Sequence, residues 1–119
     1  MNSDAKVFQV DLLMPERECA IQVRSDEHIW DAALAAGIFL PAMCHRGYCL
    51  TCAGRLESEG EVDQSDSLAY LPEDKQVGFV LLCTGKPRSH LKIRTHQQTA
   101  MRRHRKEKGL VAPYSWDID

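Results

Sequence analysis

Met43–Cys52 reads MCHRGYCLTC, and Phe79–Cys83 reads FVLLC. The first stretch spaces Cys44, Cys49 and Cys52 as C-x4-C-x2-C, and the second supplies Cys83 from a separate part of the chain. Four thiolates in this pattern suit a [2Fe–2S] cluster, in which each tetrahedral iron takes two protein sulfurs besides two bridging sulfides. Such a cluster is rigid and small, so a short loop has to fold around it. Residues 44–52 bring three sulfurs inward, and the remote Cys83 closes the cage. Gly47 lets the backbone pass near the sulfides and is placed for a positive φ. Loop N–H groups aimed at cluster sulfur stabilise its negative charge. Those bonds, burial and nearby charges set the reduction potential.

Zinc and plain core thiols are the competing readings. Structural zinc favours tight pairs of ligands. Only Cys49 and Cys52 form such a pair, and His45 would have to join awkwardly. A secreted disulfide scaffold is disfavoured by the odd count of five cysteines. Cluster ligation in a reducing compartment leaves Cys19 over. Cys19 is in phase with Ile21 and Val23, which reads as a buried, inert thiol.

Upstream of the motif, residues 6–12 alternate, with Phe8, Val10 and Leu12 on one face, and residues 18–24 alternate again. Pro15 lies in the turn between them, so the two runs predict a hairpin. Asp26 offers an N-cap for a helix from about His28 to Ala36, and Gly37 offers its C′ stop. Ile29, Ala32, Ala33 and Ala36 give that helix a narrow apolar face, with Trp30 and Leu34 off it, bordering a surface.

Downstream, residues 53–57 read as a strand leaving the loop, and 62–78 as an irregular segment with one or two helical turns. The continuous apolar run 79–83 predicts a central strand buried on both faces. HLKIRTH, residues 90–96, alternates as a last strand. The order ββα, loop, β, irregular segment, ββ predicts an α+β fold with a mixed sheet and one main helix.

The 119 residues suffice for one core, and 44% hydrophobic content argues against disorder. No apolar run approaches a membrane span, so membrane insertion is not expected. The start MNSDAKVFQV lacks a secretory h-region. Net charge is −2, unevenly spread. Residues 57–66 carry Glu57, Glu59, Glu61, Asp63 and Asp66, and residues 102–108 carry Arg102, Arg103, Arg105, Lys106 and Lys108 against Glu107. The acidic run reads either as a solvated face or as a docking surface. The basic run has three readings: a solvated helix, a segment folded back on the acidic flank, or a site for an acidic partner. Nucleic acid is disfavoured by the overall acidity and the lack of a stacking surface. Beyond Gly109, Val111, Tyr114 and Trp116 are candidate anchors.

DAALAAGIFLPAMCHRGYCLTCAGRL, EVDQSD, GFVLLC and LKIRTHQ resemble the corresponding stretches of plant-type [2Fe–2S] ferredoxins of cyanobacteria and chloroplasts. The resemblance covers residues 5–98 and implies a β-grasp fold. It implies that Cys44 and Cys49 hold the iron nearer the surface, and Cys52 and Cys83 the inner one. It also implies one [2Fe–2S] cluster at a potential of about −400 mV, and a monomeric one-electron carrier between a low-potential donor and a redox-protein acceptor. The expected location is the cytoplasm of a cyanobacterium or, with a presequence removed, the plastid stroma. Residues 1–98 are then the ferredoxin domain and 99–119 a C-terminal extension, as in the extended variety of the family.

Departures from the family pattern bear on the acceptor. His45, Arg46, Gly47 and Tyr48 stand where members tend to carry Arg-Ala-Gly-Ser or Ala, and Leu50 stands where Ser is common. An aromatic residue and a late glutamate typical of transfer to ferredoxin–NADP reductase are replaced by Ala69, with Tyr70 one place later, and by Gln98. The expected acceptor is therefore a different one. His45 reads as a solvent-exposed imidazole or one coupled to reduction. His28 and His96 have no nameable partner, and His90 and His104 read as surface residues. No nucleophile, base or substrate pocket is apparent, so an enzyme is not expected. The alternative is a regulatory or assembly-linked protein that senses cluster state, with the tail as reporter.

Overall fold

The computed structural model describes residues 6–41, 50–67 and 70–110. Strands β1 (Val7–Leu13) and β2 (Glu18–Arg24) form the expected antiparallel hairpin, and α1 (Ile29–Ala35) follows. After the loop come β3 (Ala53–Leu56), β4 (Val62–Asp63), α2 (Pro72–Gln76), β5 (Phe79–Leu81), β6 (Lys86–Pro87), β7 (Leu91–Arg94) and α3 (Gln98–Glu107). The main sheet runs β2-β1-β7-β3-β5, and β4 pairs with β6 apart from it. Among the described strands only β1 and β7 pair in parallel, so the sheet is mixed, as the element order implied.

Alternation sets the two faces of the sheet. Val10, Leu12, Ile21, Val23, Leu91 and Ile93 point to one side and are buried there with Ile29, Ala32 and Ala33 of α1. The helix is shorter than expected, and Asp26 does not cap it. Arg24 holds the Asp26 carboxylate at 2.9 and 3.0 Å. The N-cap is His28, without a side-chain bond. The first amides of α1 donate instead to main-chain carbonyls, Ile29 N–H to Gly85 at 2.9 Å and Trp30 N–H to Leu82 at 2.9 Å. Those bonds satisfy donors that a cap would otherwise take. The C-terminus behaves as the sequence suggests. Gly37, at φ +82°, donates to Leu34 O, and Ile38 N–H reaches back to Ala33 O, which is a Schellman stop.

The second expectation to change is β5. It is buried, but it lies at the edge of the sheet, not at its centre. The central place goes to β7, between β1 and β3. Burial of an edge strand requires other groups to take its outer backbone positions. Gln64 does so with its side-chain amide: Leu81 N–H donates to Oε1 at 2.6 Å, and Nε2 donates to Leu81 O at 3.2 Å. Tyr70 donates its hydroxyl to Phe79 O at 2.6 Å.

The third change is in the basic segment. α3 is neither a solvated rod nor folded onto the acidic run. His96, at φ +60°, turns the chain, and Gln97 N–H docks on Ala53 O at 3.0 Å. Arg55 and Phe79 are cross-strand partners on the face away from α1, and the Phe79 ring lies 5.5 Å from that of His104 in α3. α3 therefore covers the β3–β5 end of the second face of the sheet. Its Met101, Arg102 and Arg105 are buried, so the stripe facing the sheet is one methionine flanked by arginines. A second Schellman stop at Gly109, φ +71°, ends the helix.

Candidate functional site

Cys52 and Cys83 come from turns at facing ends of neighbouring strands, since β3 begins at Ala53 and β5 ends at Leu81. Antiparallel pairing of Ala53 with Leu81 brings the two turns together, and Leu82 N–H donates to Cys52 O at 3.2 Å. The two sulfurs lie 2.9 Å apart, buried to 1% and 4% exposure. Cys44, Cys49, His45, Arg46, Gly47 and Tyr48 lie outside the described residues, as do Ala69, Val111, Tyr114 and Trp116.

Two features make the site suited to a cluster. Thiolates are the donors that iron–sulfur chemistry requires, and the fold brings two of them into contact from distant segments. Next to Cys52 in the chain, Thr51 has a buried hydroxyl with no hydrogen-bond partner among the described residues. A buried donor of that kind needs an acceptor, and a cluster sulfide would be a fitting one. Leu50 is fully buried at φ +65°, so the position commonly taken by serine is apolar here and shields the neighbouring turn from water.

The site is braced from three sides. α1 clamps the turn carrying Cys83 through the Leu82 and Gly85 carbonyls. Ser67 and Thr84 hydroxyls meet at 2.5 Å. Trp30 Nε1 donates to Leu40 O at 2.8 Å and fixes the chain entering the loop, while Leu34 stays 40% exposed as expected.

A family model for the 2Fe-2S iron-sulfur cluster binding domain matches residues 14–88. Ferredoxin-2 of a Synechococcus species is 44% identical over 91 residues, 76% of this chain and 86% of the relative. The chain belongs to the [2Fe–2S] ferredoxin family. The heterocyst ferredoxin of a Nostoc species is 42% identical, over 76% of this chain and 93% of its own. Among solved structures, pectocin M2 superposes with a TM-score of 0.68 at 32% identity, over 78% of this chain but only 34% of that one. This ferredoxin thus has the β-grasp fold that the resemblance implied, carries one [2Fe–2S] cluster, and is an electron carrier. No helix among its described residues is long and apolar enough to cross a membrane.

Other sequence readings fare unevenly. His28, expected to lack a partner, bonds Asp66 at 2.9 Å through Nε2. His96 Nδ1 meets the Thr95 hydroxyl at 2.6 Å. His90 is exposed but accepts the Gln9 N–H at 2.9 Å. His104 is half-buried against Phe79, because α3 packs on the sheet. Cys19 is half-buried at the outer strand β2, so the buried reading was too strong. Sequence reasoning missed Gln64, Thr51 and the pairing of Asp74 with Arg105. For Asp74 there was a signal: Leu71-Pro72-Glu73-Asp74 puts proline at N1 and an acid at N3 of a helix.

Proposed function

We propose that Cys44, Cys49, Cys52 and Cys83 hold the cluster, the first two on the outer iron, and that this ferredoxin serves an acceptor other than the usual NADP reductase. The cluster supplies the gain and loss of one electron. The chain fixes two ligand turns against each other, excludes water with Leu50, and offers the Thr51 hydroxyl as a donor. Residues 1–98 form the electron-carrying domain and 99–119 an extension. Cytoplasm or stroma suits a low-potential carrier that works as a monomer.

One observation supports the unusual acceptor most directly. The aromatic residue displaced by one position, Tyr70, is turned inward and spends its hydroxyl on Phe79 O. It is therefore a strand cover and not a surface contact. The acidic run is similarly occupied: Arg94 holds Glu57, Arg88 holds Asp63, and Lys86 with His28 holds Asp66. Gln98, in place of the late glutamate, lies against Arg102 within α3.

The test is reductase-dependent NADP reduction, compared with a standard acidic ferredoxin at matched salt. Markedly slower turnover is expected, and equal rates would sink the proposal. Cys52→Ser and Cys83→Ser should each abolish the visible absorption and EPR signal of a native cluster.

A further inference from the structure

From Ala32 to Met43 the chain has no charged and no polar side chain. The core uses only part of this run. Ala32, Ala33, Ile38 and Leu40 are buried, while Leu34, Ala35, Ala36, Gly37 and Phe39 are exposed. Those five lie within the last turn of α1 and the Schellman stop that follows it, so they form one continuous apolar surface. Phe39 is 80% exposed, more than any other large apolar residue among the described ones, and Leu34 is 40% exposed. The stop explains this, because Ile38 and Leu40 are taken into the core on either side and Phe39 is left outside. The nearest charge on α1, Asp31, faces His28 at 3.5 Å.

An aromatic side chain so exposed adds nothing to the core. Single apolar residues at a surface need no explanation, but a patch of them marks a place of contact. Trp30 ties this patch to the cluster site at two points. Its backbone N–H donates to Leu82 O, next to Cys83, and its indole N–H donates to Leu40 O, next to Phe39. Phe39 also precedes Cys44, an outer-iron ligand in the reading above, by five residues. A redox partner that approaches the outer iron therefore comes up beside this surface.

We propose that Leu34, Ala35, Ala36 and Phe39 form the docking surface for a redox protein whose cofactor is ringed by uncharged, apolar side chains. The inference rests on the carrier reading above and names the chemistry of the acceptor. Charge complementarity selects that partner. The surface has no charge to offer, and three carboxylates of the acidic run are already held by Arg94, Arg88 and Lys86. Phe39 is the anchor, since aromatic side chains at the centre of an interface carry a large share of its energy. Docking of this kind depends little on salt, because screening acts on charges.

The probe is oxidised azurin, a blue copper protein with an apolar ring around its exposed copper ligand. It is mixed with the dithionite-reduced, desalted, cluster-loaded full chain in a stopped-flow instrument at low and high salt. The expected second-order rate changes less than about twofold with salt. It falls about tenfold in F39D and less than about twofold in F39L, with L34Q between them. Both positions are exposed, so urea midpoints and the visible spectrum should stay at wild-type values. Hexaamminecobalt(III), a small oxidant that needs no protein docking surface, reads general damage. An F39D variant slowed equally with both oxidants, or unchanged with azurin, overturns the inference, as does a rate that falls steeply with salt. A dimer in sedimentation that F39D dissociates would give the surface to a second copy. An azurin rate raised in Y114A/W116A would give it to the chain's own C-terminal segment. Either result also overturns the inference. No NADP reductase takes part, so its failure is distinguishable from failure of the acceptor proposal.

Discussion

Arg105 and Asp74 are 31 residues apart and form a two-pronged ion pair at 1% and 0% exposure, Nε to Oδ1 at 3.2 Å and NH2 to Oδ2 at 2.5 Å. The same Asp74 carboxylate accepts the Leu71 N–H at 3.0 Å and so caps α2. One carboxylate therefore ends one helix and anchors another.

Removing one partner strands a buried charge. Arg105→Met or Asp74→Asn should each lower unfolding free energy by about 3–5 kcal/mol. Replacing both, as Asp74→Leu with Arg105→Met, should recover most of this, because the pair's desolvation cost disappears with it. A deficit of about 1 kcal/mol should persist, since Leu71 N–H loses its acceptor. Urea unfolding of the cluster-loaded protein measures all three. A double variant as unstable as the singles added together would refute the coupling.

The covered edge of β5 gives a second expectation. Gln64→Leu leaves Leu81 N–H and C=O without their side-chain partners in a buried position, at about 1–3 kcal/mol. Tyr70→Phe removes only the bond to Phe79 O, at about 1 kcal/mol. Because β5 leads into Cys83, Gln64→Leu should also speed loss of the cluster's visible absorption under chelator. Unchanged loss kinetics in a measurably destabilised variant would separate edge cover from cluster retention.

Acid should weaken the surface that closes the 57–66 segment. Asp66 is held below the ordinary carboxylate value of 3.8 by His28 and then Lys86, and Asp63 by Ser65 and then Arg88. A depressed native pKa stabilises the fold above the unfolded value, and that gain is lost as pH falls through the native one. Wild type should therefore exceed Asp66→Asn by a constant margin at neutral pH, and the margin should close as pH drops below about 4. Urea midpoints across that range provide the measurement. A margin that closes on the alkaline side instead would contradict the assignment.

Much of the fold was written in local pattern. The hairpin, α1 with its Gly37 stop, the strand at 91–94 and the pairing of a Cys-rich loop with a remote cysteine all follow from period, turn chemistry and ligand spacing, which are properties of neighbouring residues. The failures share one cause. Burial of residues 79–81 could not distinguish a central strand from an edge covered by Gln64 and Tyr70, because side-chain cover leaves no periodic mark. Asp26 looked like a cap because capping residues are recognised by type, yet carbonyls from the turn at Cys83 took its place.

The basic tail shows the division most plainly. Its composition alone suggested a solvated helix or a charged arm. Tertiary structure divided its cations, sinking Arg102 and Arg105 into contact with the domain and leaving Arg103, Lys106 and Lys108 outside. A charge is buried only where a partner and a geometry meet it, and for Arg105 that partner is Asp74, far along the chain. The sequence by itself determined the cluster, because four cysteines at that spacing have one dominant chemistry. The folded structure decided which charges remain for a partner to meet, because that depends on contacts between residues the chain keeps far apart.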